Sequence, residues 1–282
     1  MTQIYIAPFL ASRKRKRAFK WHCEIPGFLD AVGKQVWPYD RGDDPSFYMM
    51  RELGNKLTWG VCRSDVRNQI QISDIVVYFA VQKRETETEL DYLLCSVATV
   101  EQKLMQTEIW KDESLEVFRK YPNLLIRPVR NKANRWEHFE PTHTRHVDWI
   151  WRIADRVGLR EKDFERMKKR CFFDLATRVR KRPLKIVSNY IVFSEDQNKT
   201  YVINQPRRVA TYCKGQKHEK WLSNDFSRKV IDLTLVKANK MTGKSRWLHA
   251  NKIRNAHPVV RFELPSYEAE IWCSQLIDLM RS

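Results

Sequence analysis

Apolar and polar positions along the chain alternate in blocks, and each block predicts an element. Residues 74–81 (DIVVYFAV) and 92–100 (YLLCSVATV) are nearly unbroken apolar runs rich in β-branched and aromatic residues. Such runs predict strands in the centre of a sheet, joined here through the polar hinge KRETETELD. Residues 4–9, 57–62, 185–193 and 199–203 read as further strands, and residues 65–70 as a short turn or helix. Three segments carry helical spacing instead. Residues 146–157 (HVDWIWRIADRV) end at Gly158, a natural helix stop, and residues 267–280 form an amphipathic stretch. Between them, Phe164, Met167, Cys171 and Leu175 recur every three or four residues in a basic segment spanning 161–182. Residues 24–32 and 115–121 predict shorter helical pieces.

This order, strands first, then helices, then both again, predicts an α+β protein built on a partly closed antiparallel β-sheet with surrounding helices. The expected division places a β-rich recognition portion at residues 1–110 and a basic α+β portion at 111–282, with one continuous domain as the alternative. With 282 residues, 43% apolar and only 8 Gly and 11 Pro, the chain can bury a sizeable core without low-complexity linkers. No apolar run reaches the length of a membrane helix, and the basic cluster follows the first apolar run, the reverse of a secretory signal. The six cysteines are widely spaced with no C-x-x-C pair, as expected of reduced thiols. A cytoplasmic location is expected, with no membrane partner.

Charge changes the picture most. Lys and Arg number 52 against 34 Asp and Glu, a formal net charge of +18, interleaved with 10 Trp, 13 Phe and 10 Tyr. Cations neutralise phosphates and aromatic rings stack on unpaired bases, so the expected partner is nucleic acid. A basic protein that grips nucleic acid without selectivity is the plainer alternative. The candidate phosphate contacts are Arg13, Lys14, Arg15, Lys16 and Arg17, then Lys168, Lys169, Arg170, Arg180, Lys181 and Arg182, and the polar turn with Lys214, Lys217 and His218. Gly215 in that turn permits close backbone approach to a phosphate.

The densest chemistry lies between Trp37 and Tyr78. WPYDRGDDPSF puts three aromatics and three carboxylates in one turn-rich stretch, the composition of a clamp for a base rotated out of a duplex. Trp37, Tyr39, Phe47 and Trp59 are candidate pocket walls, with core filling as the alternative for each. Arg67 is a candidate base contact, and it and Arg63 also flank Asp65 as ion-pair partners. Asp40, Asp43 and Asp44 are candidate catalytic residues, because cleavage of an N-glycosidic bond needs a carboxylate beside the sugar to stabilise an oxocarbenium-like state and orient water. Capping of a turn is the competing role for each. The histidines of HFEPTHTRH match no common zinc spacing, so no metal is expected, and no dinucleotide, P-loop, kinase or zinc-deaminase pattern predicts a cofactor.

The runs YDRGDDPSF, LTWGVCRSDVRNQIQISDIVVYFA and NYIVFSEDQNKTYV together resemble the nucleotide-modification-associated domains. Tyr39, Asp40, Gly42, Pro45, Phe47, Cys62, Arg67 and Asp74 hold the positions of that pattern, and Ser73 stands where it has glycine. The resemblance implies a link to hypermodified bases in DNA, in the setting of conflict between phage and bacterium. In outline the early part is also similar to PUA-like barrels, some of which read modified bases. The resulting expectation is a DNA-binding protein that flips a modified base and excises it as a DNA glycosylase in antiphage defence. A non-catalytic reader that recruits an effector is the alternative.

Overall fold

The structure, a computed structural model, describes residues 1–10, 45, 47, 50, 56–60, 64–83, 89–121, 123–124, 126–130, 136–141, 189–213, 220–221, 224–242 and 259–282. Where the sequence suggests one cut near residue 110, contacts group the chain into two interleaved units. Unit 1 comprises Met1–Arg13, Ile70–Glu101 and Phe193–Ser282, and unit 2 comprises Lys14–Gln69 and Gln102–Val192. Unit 2 is thus carried on two long excursions out of unit 1.

Unit 1 is built on strands β1 (Thr2–Leu10), β3 (Ile75–Lys83), β4 (Glu89–Leu104), β8 (Thr200–Cys213), β9 (Lys220–Trp221) and β10 (Val260–Leu264). The strand β10 pairs with β1, β1 with β3 and β3 with β4, while β8 pairs with β4 and β9 with β8. The predicted strands at 74–81 and 92–100 are present as β3 and β4, antiparallel neighbours as expected. The sheet is not the partly closed, antiparallel one expected. Strands β1 and β3 run parallel, from Ile4 opposite Ile75 to Leu10 opposite Val81, and the described strands form an open, mixed sheet. Parallel neighbours need a long crossover, and the chain between Leu10 and Ile75 supplies one by passing through unit 2. The class is α+β.

Alternation along the strands decides which side chains enter the core. Ile4 and Ile6 of β1, Ile75, Val77, Phe79 and Val81 of β3, and Phe262 and Leu264 of β10 are buried on one face. Helix α5 (Ser266–Arg281) covers that face with Ala269, Trp272, Cys273, Leu276, Ile277 and Met280, the three-and-four spacing that the sequence shows. Val230 and Ile231 of α3 (Asp225–Ile231) and Ala238 of α4 (Lys237–Thr242) join the same core. Pro206 enters β8 without breaking it because β8 bulges there. Val202 faces Ser96 and Arg207 faces Leu94, so residues 203–206 lie opposite a single position, where a missing N–H costs no ladder bond.

A π-helical turn (Asp232–Val236) joins α3 to α4. Such a turn widens the helix and loosens its ladder. Here the Trp272 indole Nε1 donates to the Leu233 carbonyl at 2.8 Å, and the ring meets Phe262 edge-on at 5.9 Å. Trp272→Phe keeps an aromatic ring but removes the donor and some volume. It is expected to cost about 2 kcal/mol in urea denaturation. A change under about 0.5 kcal/mol would show that the indole does not hold the π turn.

Unit 2 contains β2 (Thr58–Trp59), α1 (Ser64–Arg67), α2 (Gln106–Lys111), a 3-10 helix (Glu113–Lys120) and most of β7 (Tyr190–Phe193). It also holds a separate hairpin of β5 (Ile126–Arg130) and β6 (Trp136–Pro141). Strand β2 pairs antiparallel with β7, Thr58 opposite Val192 and Trp59 opposite Ile191. The helices predicted at 24–32, 146–157 and 161–182 lie outside the described residues.

Candidate functional site

The strand β2 is short because Gly60 ends it against other backbone. A Cβ at Gly60 would stand 2.4 Å from the Asn123 carbonyl oxygen and 2.6 Å from Cε2 of the Tyr190 ring. Only glycine permits that approach. Around it lies a buried polar network drawn from three distant parts of the sequence. The Tyr190 hydroxyl donates to Asn123 Oδ1 at 2.8 Å and lies 3.0 Å from Thr58 Oγ1. The Asn123 amide Nδ2 donates to Thr58 Oγ1 at 2.9 Å and to the Thr58 carbonyl at 3.2 Å. Gln106 Nε2, at the start of α2, donates to the Gly60 carbonyl at 3.0 Å. Thr58, Gln106, Asn123 and Tyr190 all have no solvent exposure. A buried network whose members satisfy one another stiffens the element that it holds, because any displacement leaves a polar group unpaired in low dielectric. Phe118 and Tyr121 close the cluster: Phe118 meets the Tyr190 ring at 6.2 Å, and the Tyr121 hydroxyl donates to the Lys56 carbonyl at 2.7 Å.

A second anchor holds the start of β7. Asn189 takes φ 56, a left-handed backbone that asparagine tolerates better than most residues. The Arg67 guanidinium, wholly buried at the end of α1, donates through Nη1 to the Asn189 carbonyl at 2.6 Å. Asn189 Nδ2 donates to Asn68 Oδ1, and Lys103 Nζ donates to the Asn68 carbonyl at 3.1 Å.

Of the candidate pocket, base-contact and catalytic residues, Phe47, Trp59 and Arg67 fall among the described ones. Their exposures are 0%, 2% and 0%. The two rings therefore sit inside unit 2, and the Arg67 guanidinium donates to backbone through Nη1. Trp37, Tyr39, Asp40, Asp43 and Asp44 lie outside the described residues. The same is true of Arg13, Lys14, Arg15, Lys16, Arg17, Lys168, Lys169, Arg170, Arg180, Lys181, Arg182, Lys214, Lys217 and His218. Sequence reasoning missed Gly60, Asn123 and Tyr190. The Thr-Trp-Gly run marks a tight approach, whereas nothing in the sequence links Asn123 to Tyr190 across 67 positions.

Unit 1 carries a cavity of about 290 Å³ between α5 and the turns at Ser73 and Asp196. Cys273 lines it, but burial pushes its thiol up to about 11 against the lowering hydrogen bond from Thr99. At neutral pH it is a protonated thiol and a poor nucleophile. Among the described residues no three His, Cys, Asp or Glu side chains gather as metal ligands, and no helix is long and apolar enough to cross a membrane.

Comparison of the chain with protein-family models, with curated proteins and with solved structures finds no match.

Proposed function

We propose that the protein binds DNA and examines a modified base held out of the duplex by unit 2. The observation that carries this reading is where the charge lies. Unit 2 holds 33 of the 52 Lys and Arg against 19 of the 34 Asp and Glu, a net charge of +14, whereas unit 1 has +4. A charge excess concentrated in one unit attracts a polyanion to that unit. The same unit contains the Thr58–Asn123–Tyr190 network, the kind of rigid base on which a selective pocket can be set.

In this reading the protein is a member of the nucleotide-modification-associated domains, acting from the cytoplasm in antiphage defence. The Ser73–Asp74 turn supports the likeness. Ser73 takes φ 70, the conformation that favours the glycine of that pattern, and Asp74 accepts the backbone N–H groups of Gln71 at 2.8 Å and Gln3 at 2.9 Å. Excision of the base is assigned to Asp40, Asp43 and Asp44, in the same stretch as Phe47. A second reading, a reader without catalysis, is favoured by the network itself: its hydroxyl and amide groups are bonded to one another and hold shape.

Incubation with duplex DNA carrying hydroxymethylated or glucosylated cytosine separates the two. Excision leaves abasic sites and free base, and both vanish in one of the variants Asp40→Asn, Asp43→Asn or Asp44→Asn. Tight, modification-dependent binding with every glycosidic bond intact leaves the reader.

A further inference from the structure

Unit 1 is nearly balanced in charge, yet its charges are segregated along the chain. Residues 201–254 hold thirteen Lys and Arg against three Asp and Glu, a net charge of +10. The remainder of unit 1 holds six against twelve, a net charge of −6. Helices α3 and α4 with the π turn between them display part of this basic segment on one continuous face. Ser227, Val230, Ile231, Thr234, Leu235 and Ala238 point into unit 1 and are buried. The opposite side presents Arg228, Lys229 and Lys240, all exposed, with Lys237 half-buried between them.

The π turn matters to this alignment. By adding to the residues per turn at its centre, it keeps the cations of α3 and α4 on one side of the axis where a regular helix would rotate them apart. Asp225 is drawn to Lys229 at 2.7 Å, which leaves Asp232 as the other carboxylate of the stretch. The Arg207 guanidinium of β8 lies 3.5 Å from the centre of the Phe226 ring of α3, which ties a further cation of the basic segment to this helix.

We infer that this β8–α3–α4 surface is a second contact for the nucleic-acid backbone, separate from the charge of unit 2. Arg228 and Lys240 are twelve residues apart, roughly 18 Å along a helix. Over that distance a duplex presents about ten phosphates, enough to meet each cation without any base being read. The surface therefore adds affinity and register but no sequence preference. This inference rests on the reading that the protein binds DNA.

Its test is a salt titration of binding to a 30-base-pair unmodified duplex, with the full chain and with Arg228→Gln/Lys237→Gln/Lys240→Gln. Glutamine keeps helix propensity while removing charge. The variant is expected to bind on the order of tenfold more weakly at low salt, and the slope of log K against log salt is expected to fall in magnitude by about 2.7. Lys199→Gln, in the acidic remainder of unit 1, is expected to leave the slope unchanged. Thermal melting checks that each variant is folded, and if the triple variant is not, Lys237→Gln/Lys240→Gln carries the same expectation with a change of about 1.8. A folded variant with the parent's affinity and slope overturns this surface while leaving DNA binding by unit 2 intact. Failure of the parent chain to bind the duplex at low salt overturns both.

Discussion

Gly60→Ala lowers the stability of unit 2 by about 3 kcal/mol, the upper end of overpacking costs, and opens β2 and β7 together. The added methyl has nowhere to go. It would meet the Asn123 carbonyl at 2.4 Å and the Tyr190 ring at 2.6 Å, and the first of these is backbone. Moving Asn123 away breaks its bonds to Thr58 and Tyr190 as well, so the strain is not absorbed by one rotamer change. Amide hydrogen exchange reads this directly. Exchange across Thr58–Trp59 and Tyr190–Phe193 is expected to accelerate on the order of a hundredfold, while β1 and β3 in unit 1 keep their protection. Unchanged protection in β2 and β7 would mean that the close approach at Gly60 is not a structural requirement.

Arg67→Ala is the second large effect, and it separates two roles for this arginine. A base-contacting arginine stands at the surface, and its loss weakens binding while sparing the fold. Arg67 has no exposed surface, and its Nη1 donates at 2.6 Å to the carbonyl of Asn189, whose backbone is left-handed. Truncation removes a hydrogen bond from a charged donor and the packing of a long buried side chain. Together these are worth about 3–4 kcal/mol. Arg67→Lys restores only part of the loss, because an ammonium on a linear stem does not reproduce the planar fork of donors. Urea denaturation of the three proteins is the measurement. Full stability in Arg67→Ala, with lost DNA binding, would return Arg67 to the role of a base contact.

The framework of unit 1 was legible wherever a local pattern coincided with the final environment. The strands β3 and β4 are buried over most of their length, so their apolar runs announce them, and α5 shows its buried face at three-and-four spacing. The helix over α3 and α4 is less legible, since Ile231, Thr234, Val236 and their neighbours include β-branched residues that favour strands. Its buried positions still follow helical spacing, and Asn224 caps it by accepting the Ser227 N–H. The parallel pairing of β1 with β3 was not legible, because it depends on a chain excursion of more than sixty residues returning to lie beside β1. The same holds for the network of unit 2. Thr58, Asn123 and Tyr190 are ordinary residues in sequence, and only their meeting makes them an anchor. Arg67 was visible as a charge among carboxylates and aromatics, but charge alone does not distinguish a buried clamp from a surface contact.

Under the proposed function the protein selects DNA by the modification of one base. Fluorescence anisotropy on a single duplex, with one cytosine left plain, hydroxymethylated or glucosylated, tests it most directly. Binding to one of the modified duplexes is expected to be at least about tenfold tighter, with all three affinities falling steeply as salt is raised. Equal affinity for the three duplexes, or affinity that does not respond to salt, would contradict it.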